Sequence, residues 1–295
     1  MFNKKTVNFI CILFFDVRYF DIAGVFSDCM SLIRREVSLL RKEGLMFFSK
    51  RVYGYLRRKI RLYQGMMTLS MNNTSVRLVA NDEYVTSKTQ SRFQEEEYEL
   101  MNILEEVKND DVFYDIGANT GLYSCFVANK CDRCQVVAFE PYPPNITELN
   151  NNAELNNPEW ISIRNVALSD TFGTVCFSTP DEPTPGHGAG SITDDQSGES
   201  VRTVRGDKLI SENEAPSPNI VKIDVEGAEP LVVDGLKNAL SDRRCRLVFC
   251  ELHPSALSEY GSNTSKMVTK FEKMGYDVEL HDRWGSSNVI EARRE

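Results

Sequence analysis

A short, mostly apolar run near the middle of the chain, Val112–Ile116, ends in a segment with two glycines. This segment, which overlaps the end of the run, is Asp115-Ile-Gly117-Ala-Asn119-Thr-Gly121. Gly117 allows the backbone a sharp turn close to a ligand, and Gly121 allows the next helix to begin at close packing distance. In a doubly wound sheet, ligands bind outside the carboxyl ends of the strands. The segment therefore predicts a ligand site with the carboxylate of Asp115 at its edge.

The residue types of this segment favour a cofactor without phosphate groups. A dinucleotide site has a bare glycine where Asn119 stands, because the pyrophosphate lies on backbone amides. An asparagine crowds a pyrophosphate, but it can hydrogen-bond an amino-acid group. A second acid, Glu140, closes the next apolar strand, where a carboxylate can accept both hydroxyls of a ribose. S-adenosylmethionine carries a sulfonium and an α-ammonium, which suit Asp115, so we expect this cofactor here.

Charged residues also mark a later strand, Ile220–Val225. An alternation of period two places Lys222, Asp224 and Glu226 on one side of this strand. Three charges on a buried strand are costly unless they pair with each other or face a cleft. We expect Asp224 to accept the proton of an acceptor hydroxyl, with Glu226 and Lys222 beside it. The alternative is that Lys222 only neutralises one of the acids.

The following strand ends with two more candidates, Glu251 and His253. The ordinary pKa of a histidine suits a base at neutral pH, although a histidine before Pro254 can equally be a polar strand terminator. Asp224, Glu251 and His253 could instead bind a divalent metal, and oxygen-rich ligands would favour Mg²⁺. His187, in a Pro-Gly-His-Gly loop, is a further candidate for covering the acceptor.

Five segments in this order resemble the FkbM-type methyltransferase family. They are Asp115 to Gly121, Ala138-Phe-Glu-Pro141, Asn165-Val-Ala-Leu-Ser-Asp170, Val221-Lys-Ile-Asp-Val-Glu-Gly-Ala-Glu229 and Cys250-Glu-Leu-His253. The resemblance covers roughly residues 92–255. It implies a class I methyltransferase fold with a seven-stranded sheet, S-adenosylmethionine as cofactor, and O-methylation, often of sugar or polyketide hydroxyls.

The resemblance also implies positions for the three parts of the cofactor. The methionine part would be held by four residues of the first segment, Asp115, Gly117, Asn119 and Gly121. The ribose would be held by Glu140. The adenine edge would lie at Asn165, Ala167 and Leu168, chiefly through backbone contacts.

Seven strand-like runs, most of them separated by helix-like segments, predict an α/β fold. The runs are Val112–Ile116, Gln135–Glu140, Ile161–Val166, Ile220–Val225, Arg246–Glu251, Tyr276–His281 and Asn288–Ala292. The last two are too close for a helical crossover, so they must pair as an antiparallel hairpin on a mostly parallel, doubly wound sheet. A helix is predicted over Phe93–Val107, and a long loop over Thr179–Ser200.

The charge distribution divides the chain. The formal charge is −9, but residues 1–70 carry 13 Lys+Arg against 5 Asp+Glu, which leaves 21 against 38 for residues 71–295. An acidic body repels phosphate backbones, so we expect a small-molecule or saccharide acceptor and no nucleic acid. We expect a basic, mainly helical extension over 1–65, a small β-hairpin over 66–91, and the methyltransferase domain over 92–295.

The basic segment 30–63 predicts amphipathic helices, which could contact an anionic membrane surface or form a solvated lid. The eight cysteines lack the dense pairing of a secreted scaffold, which predicts free thiols and a cytoplasmic protein. The apolar run Val7–Phe15 is too short to span a bilayer. Two other functions stay open at this stage: an NAD(P)-dependent oxidoreductase on a similar sheet, and a cofactor-binding protein that has lost catalysis.

Overall fold

The structure is a computed structural model. It describes residues 65–81, 83–177, 192–193, 199–283 and 287–294. The basic segment 30–63, the apolar run near the N-terminus and His187 lie outside the described residues. The predictions made for them therefore stay predictions.

Strands and helices alternate through most of the described ranges. The strands are β1 (Met66–Met71), β2 (Thr74–Val79), β3 (Val112–Ile116), β4 (Gln135–Phe139), β5 (Ile161–Arg164), β6 (Ala167–Leu168), β7 (Gly173–Phe177), β8 (Ile192–Thr193), β9 (Glu199–Val204), β10 (Ile220–Ile223), β11 (Leu247–Leu252), β12 (Asp277–Asp282) and β13 (Asn288–Arg293). The α-helices are α1 (Glu83–Glu95), α2 (Glu97–Glu106), α3 (Leu122–Lys130), α4 (Pro143–Leu155), α5 (Gly206–Ser211), α6 (Glu229–Gly235), α7 (Lys237–Ser241), α8 (Pro254–Leu257) and α9 (Thr264–Lys273).

The central sheet has seven strands in the order β12-β13-β11-β10-β3-β4-β5. The five strands from β11 to β5 are parallel, whereas β13 runs antiparallel to both β11 and β12. The predicted fold class, a mostly parallel sheet with an antiparallel C-terminal hairpin, is confirmed.

Strand β3 lies in the middle of this sheet, and all five of its residues are buried. Phe113 packs in one apolar cluster with helix α3, while Tyr114 and Ile116 pack in another with helix α6. A strand covered on both faces reads as a near-continuous apolar run, which is why the sequence marked it clearly. The strand order reverses between β3 and β10, so a crevice opens at their carboxyl ends.

A second sheet of four short strands, in the order β6-β9-β7-β8, was not predicted. The predicted loop over Thr179–Ser200 is wrong in part, because β8 and the first residues of β9 fall within it. Val201 and Thr203 of β9 are buried, while Arg202 between them is exposed. That alternation is a strand signal, but it is only a few residues long and follows a Gly- and Ser-rich stretch.

Two helices precede β3, where one was predicted. Helix α1 begins at Glu83, ten residues before the predicted start at Phe93, and α2 follows it after a break at Glu96. The early start was missed because α1 is largely polar and has no continuous apolar face. None of the helices in the described ranges is long and apolar enough to cross a membrane.

Cys131 and Cys134 form a disulfide, so the prediction of free thiols is wrong for this pair. The turn between α3 and β4 brings their Cα atoms to 5.7 Å, a separation that a disulfide requires. Cys125, Cys176 and Cys245 are free, as is Cys250.

The hairpin of β1 and β2 is tied to helix α4 by side-chain amides. The backbone amide of Val79 donates to Asn152 Oδ1 at 2.7 Å, and that of Arg77 donates to Asn156 Oδ1 at 3.1 Å. Asn152 also donates from Nδ2 to the carbonyl oxygen of Thr120 at 2.7 Å. This one buried side chain therefore joins the hairpin, helix α4 and the loop after β3.

We predict that Asn152→Ala lowers the free energy of unfolding by about 1–3 kcal/mol, because it leaves a buried amide and carbonyl without partners. Asn150→Ala, on the exposed side of the same helix, is the matched control and should change stability little. Urea unfolding of both variants measures the difference. Equal stability of the two variants would show that Asn152 does not anchor the hairpin.

Candidate active site

The loop between β3 and α3 contains three residues in the left-handed region. Gly117 has φ +76°, Asn119 has φ +53° and Gly121 has φ +86°. A Cβ atom at Gly117 would lie 1.8 Å from the carbonyl oxygen of Asp224, and one at Gly121 would lie 2.2 Å from Leu149 Cδ1. Gly117 is therefore required sterically, because its neighbour is backbone, whereas Gly121 is favoured by its positive φ. Asparagine is one of the few other residues that tolerate this conformation.

An inner cavity opens at the ends of β3, β4 and β5. It is lined by Ile116, Gly117, Asn119, Phe139, Glu140, Pro141, Tyr142, Asn145, Val166, Ala167, Leu168, Val175, Asp224, Val225, Glu226 and Ala228. Most of these side chains are apolar, and Glu140 and Asn119 stand on the same wall. A flat apolar ring with a polar sugar attached would meet complementary surfaces here.

Glu140 is held in a fixed orientation inside this cavity. Its Oε2 accepts a hydrogen bond from the backbone amide of Asn119 at 2.8 Å, and its Oε1 accepts one from the amide of Tyr142 at 2.9 Å. Burial raises the pKa of Glu140 to about 7, against the lowering effect of these hydrogen bonds. The remaining lone pairs can accept hydroxyl donors, as the sequence predicted for this acid.

The predicted adenine residues are placed unequally. Ala167 and Leu168 line the inner cavity together with Val166. Asn165 is exposed and lies outside the lining, because β5 already ends at Arg164 and the chain turns there. The neighbouring Val166 lines the cavity where Asn165 does not, and the assignment of Asn165 stays a prediction.

Asp115 is fully buried at the end of β3 and lines neither cavity of the crevice. Its Oδ2 accepts hydrogen bonds from the backbone amide of Ser124 at 3.0 Å and from Ser124 Oγ at 2.6 Å. Burial raises its pKa, although Lys222 opposes this effect. Through Oδ2 this side chain anchors the first turn of α3, while its Oδ1 is buried without a hydrogen-bond partner among the described residues. The contact of Asp115 with the cofactor stays a prediction.

An outer cavity adjoins the inner one. It is lined by Leu78, Val79, Val85, Lys88, Thr89, Ser91, Arg92, Glu95, Glu96, Asn119, Thr120, Leu122, Glu148, Asn152, Asp224, Glu226, Glu251 and Arg283. Asn119, Asp224 and Glu226 line both cavities, and we call these three residues the junction. Charged and polar groups dominate the outer walls, in contrast to the inner cavity.

Strand β10 ends at Ile223, so only Lys222 of the three predicted charges lies on the strand. Asp224 and Glu226 stand on the loop that follows, and Glu226 has φ +55°. The predicted alternation is therefore wrong beyond Ile223, although the loop still brings both acids to the crevice. Asp224 stays in register because its amide donates to the carbonyl of Ile116 at 3.0 Å.

The Asp224 carboxylate faces two cations. Lys222 Nζ lies 3.0 Å from its Oδ2, and Arg92 Nη2 lies 3.7 Å from the same atom. Burial alone would raise the pKa of Asp224, but Lys222 and Arg92 outweigh it and lower the pKa to about 2. The neutralising pair that the sequence left open is present, and its low pKa makes Asp224 a poor base.

His253 lies between two glutamates. Its Nδ1 is 2.9 Å from Oε1 of the fully buried Glu229, and its Nε2 is 3.3 Å from Glu226 Oε2. Burial lowers the pKa of His253, but the hydrogen bond to Glu229 and the charge of Glu226 outweigh this and raise it to about 9. His253 is thus an imidazolium at neutral pH, and the expectation of a neutral base does not fit.

Glu226 is the acid of the junction whose pKa lies near neutrality. Burial and the negative charge of Asp224 raise its pKa to about 7, against the lowering effect of His253. Glu251 stands beside this group, with Oε1 at 3.9 Å from His253 Nε2 and Oε2 bound to Arg283. Arg283 also pairs with Glu99 at 3.0 Å, so Glu251 is held by a buried cation.

The three residues considered above for Mg²⁺, Asp224, Glu251 and His253, do not fit this ion, because Glu251 is bound to Arg283. The residues that offer ligand atoms within 4.8 Å of one another are instead Asp224, Glu226 and His253. However, Asp224 already faces Lys222 and Arg92, and the charged imidazole of His253 repels a cation. No catalytic step is assigned to a metal ion.

Comparison with known proteins identifies this arrangement. The methyltransferase FkbM domain matches residues 115–278, which is more than half of the chain. The chain belongs to the FkbM methyltransferase family. Of its relatives, the hexuronic acid methyltransferase AglP of Haloferax volcanii is 33% identical over 184 residues, which are 60% of this chain and 72% of AglP.

Other similarities are more limited. The AMB antimetabolite synthetase AmbE of Pseudomonas aeruginosa is 33% identical over 147 residues, and the match covers 47% of this chain but 6% of AmbE. Among solved structures, an S-adenosylmethionine-dependent methyltransferase of Agrobacterium tumefaciens has 11% identity and a TM-score of 0.41, covering 78% of this chain and 70% of the other. The precorrin-6y C5,15-methyltransferase of Geobacter metallireducens has 14% identity and a TM-score of 0.42. That match covers 66% of this chain and 87% of the other.

The FkbM chain is thus an S-adenosylmethionine-dependent methyltransferase with a class I fold. Its crevice fits this cofactor, because the loop at Gly117 has no room for a side chain and Asn119 Oδ1 is buried without a hydrogen-bond partner in the described part of the chain. The oxidoreductase alternative is set aside, since both the family and the relative AglP are methyltransferases.

Sequence reasoning missed several residues of this site. Arg92 and Arg283 line the outer cavity, and Glu229 orients His253. Glu229 stood within the fourth recognised segment, which was the one available signal. The two arginines carried none, because they lie in polar stretches far from any motif and reach the site only through the fold.

We predict that Glu140→Gln weakens binding of S-adenosylhomocysteine roughly tenfold or more, because one oxygen that can accept a ribose hydroxyl is lost. Isothermal titration measures the affinity. Glu159→Gln, an exposed glutamate just after α4, is the control and should bind as the wild type does. Unchanged affinity in Glu140→Gln would remove this acid from the cofactor site.

Proposed function

We propose that this enzyme transfers the methyl group of S-adenosylmethionine to a hydroxyl of a saccharide. The observation that carries the proposal is the junction, where Glu226, with a pKa near 7, lies between the inner cavity and a polar outer cavity. The relative AglP, whose name describes a hexuronic acid methyltransferase, supports a sugar as the acceptor class.

The walls of the outer cavity suit a polyhydroxylated acceptor. They present carboxylates at Glu95, Glu148 and Glu251 and cations at Lys88 and Arg283. Such groups can accept from and donate to sugar hydroxyls, and charge-assisted hydrogen bonds of this kind are stronger than neutral ones. An apolar acceptor would displace water from these groups without offering hydrogen bonds in return, at a cost in free energy.

The presence of a base favours a hydroxyl over a carboxylate as the methyl acceptor. A sugar carboxylate is already ionised at neutral pH and needs no proton acceptor, whereas a hydroxyl is a weak nucleophile and needs one. Glu226 has the pKa that such a task requires, while Asp224 stays ionised and His253 stays protonated. We therefore assign the proton transfer to Glu226.

The other charges position this base. Glu229 accepts hydrogen bonds from the Gly227 amide and pairs with His253 Nδ1, both at 2.9 Å. The imidazolium of His253 in turn faces Glu226 and favours its ionised form. Lys222 and Arg92 keep Asp224 ionised next to Glu226.

The cofactor, when bound, supplies an electrophilic methyl group on a positively charged sulfur. Glu140, Asn119 and the backbone of Gly117 would hold it in the inner cavity, and Asp224 would present negative charge near the sulfonium. Alignment of the acceptor oxygen with the methyl group would supply most of the acceleration, and Glu226 a smaller part.

Two earlier expectations remain part of the proposal. The acidic body favours an acceptor that is not a nucleic acid, and residues 1–65 form an extension outside the catalytic domain. We further propose that the basic segment of this extension, 30–63, either contacts an anionic membrane surface or forms a solvated lid.

We predict that Glu226→Gln lowers kcat roughly 100-fold or more while leaving cofactor affinity nearly unchanged, because it removes the proton acceptor. Transfer of a labelled methyl group measures kcat, and titration measures affinity. Glu97→Gln, an exposed acid on α2, is the control. Wild-type turnover by Glu226→Gln would show that another group accepts the proton.

The wild-type rate should also depend on pH. Only the ionised form of Glu226 accepts a proton, so kcat at saturating cofactor should fall as the pH drops below about 7. In Glu226→Gln this decline should be absent. A decline that persists in the variant would assign it to another group.

Mild alkali distinguishes the two chemical products. We predict that methyl groups transferred to a panel of mono- and oligosaccharides, with and without uronic acids, survive alkaline treatment, because they are ethers. Release of labelled methanol would indicate methyl esters of uronic acids and contradict the hydroxyl assignment. Labelling of nucleic acid or protein without any saccharide would contradict the acceptor class.

A further inference from the structure

Arg92 on helix α1 has one terminal nitrogen that the described protein groups leave unsatisfied. Its Nε donates to Glu96 Oε1 at 2.5 Å, and its Nη2 lies 3.7 Å from Asp224 Oδ2. Its Nη1 is buried and has no hydrogen-bond partner among the described residues. Burial lowers the pKa of Arg92, but Glu96 and Asp224 outweigh this and raise it, so the guanidinium stays charged.

An unpaired donor on a buried cation is costly, by about 1–3 kcal/mol or more. Native structures therefore place such a group where a ligand, ion or water completes it. Arg92 lines the outer cavity together with Asn119, Thr120 and Leu122, which belong to the loop between β3 and α3 and the start of α3. Asn119 Oδ1 is likewise buried without a partner among the described residues. Glu96 Oε2 and Arg283 Nε, from two further residues of this lining, also lack a partner among the described residues, so four such atoms belong to residues of one cavity wall.

The other cations of this cavity are engaged differently. Arg283 uses both terminal nitrogens on the carboxylates of Glu251 and Glu99. Lys222, which lies behind Asp224 and does not line the cavity, is bound to that carboxylate and lies over the ring of Tyr123. Lys88 is exposed, one helical turn before Arg92. Arg92 therefore combines a fixed guanidinium, anchored by Glu96, with a free terminal nitrogen.

A guanidinium with a free terminal nitrogen can bind a carboxylate, because its N–H groups donate charge-assisted hydrogen bonds to the carboxylate oxygens. In the proposed placement, the adenosine end of the cofactor lies in the inner cavity at Glu140, and its sulfur lies at the junction. The amino-acid end must continue along Asn119 and Thr120 into the outer cavity, which is the wall where Arg92 stands.

We propose that Arg92 binds the α-carboxylate of the cofactor through Nη1, while Asn119 Oδ1 accepts from its α-ammonium. This inference rests on the proposed placement of S-adenosylmethionine in the crevice. It makes helix α1 a part of the cofactor site, outside the recognised family segments. Arg92 then also couples the cofactor to Asp224, because one guanidinium faces both carboxylates.

Two ligands that differ in the amino-acid group test this assignment by titration. S-adenosylhomocysteine has the α-carboxylate, and 5′-methylthioadenosine keeps the adenosine and the sulfur but lacks the amino-acid part. We expect Arg92→Gln to weaken binding of S-adenosylhomocysteine roughly 10- to 100-fold and to leave binding of 5′-methylthioadenosine unchanged. No acceptor is needed, so a carboxylate on the acceptor cannot produce this result.

Lys237→Gln, an exposed lysine of helix α7 that lines neither cavity, is the control, because it removes one positive charge from the same domain. It should bind both ligands as the wild type does. Equal losses of S-adenosylhomocysteine affinity in the two variants would reduce the role of Arg92 to general charge and overturn the assignment. Wild-type affinity in Arg92→Gln would overturn it as well.

Folding is controlled by a second variant. Arg92→Gln leaves the buried carboxylate of Glu96 without its partner, so the double variant Arg92→Gln/Glu96→Gln removes this charge too. Selective loss of S-adenosylhomocysteine in the double variant supports the proposal, whereas equal loss of both ligands in both variants shows a structural role and overturns it. Failure of the wild type to bind either ligand would instead refute the proposed cofactor placement itself.

Discussion

The close approach of Gly117 to the carbonyl of Asp224 is the constraint on which the site depends. A Cβ atom at Gly117 would lie 1.8 Å from that oxygen, so no other residue fits. The contact sits where the strand order reverses, between β3 and β10. Because of it, the loop that holds the cofactor and the loop that carries the acids meet at one point. Methyl transfer needs this arrangement, since acceptor and donor must be aligned within a short distance.

The environment then separates carboxylates that are alike in sequence. Asp224 faces Lys222 and Arg92, which lower its pKa to about 2, while burial and the neighbouring acid raise that of Glu226 to about 7. Groups whose pKa values are driven apart can take different chemical roles at one pH. In the proposed mechanism, Asp224 serves as a fixed charge and Glu226 as the proton acceptor. The imidazolium of His253 is fixed by Glu229, and its positive charge limits the rise in the pKa of Glu226.

The sequence predicted what depends on local pattern and missed what depends on tertiary contacts. Apolar runs marked the seven strands of the central sheet, and glycines with a following acid marked the cofactor loop. The orientation of Asp115 toward Ser124 was missed, because strand alternation does not show which neighbour a buried carboxylate meets. The pKa of His253 was missed for the same reason, since Glu229 becomes its partner only in the folded chain. Arg92 lies more than twenty residues before the cofactor loop, and no spacing rule connects the two.

In the proposed binding mode, the cofactor spans the two cavities with its sulfur at Asn119, Asp224 and Glu226. A crystal structure of the enzyme with S-adenosylhomocysteine would show this directly. We expect the adenosine to lie against Glu140 and Val166 to Leu168, with the sulfur facing the two acids of the junction. A complex with the adenosine in the outer cavity, or with the sulfur turned away from Asp224 and Glu226, would contradict it.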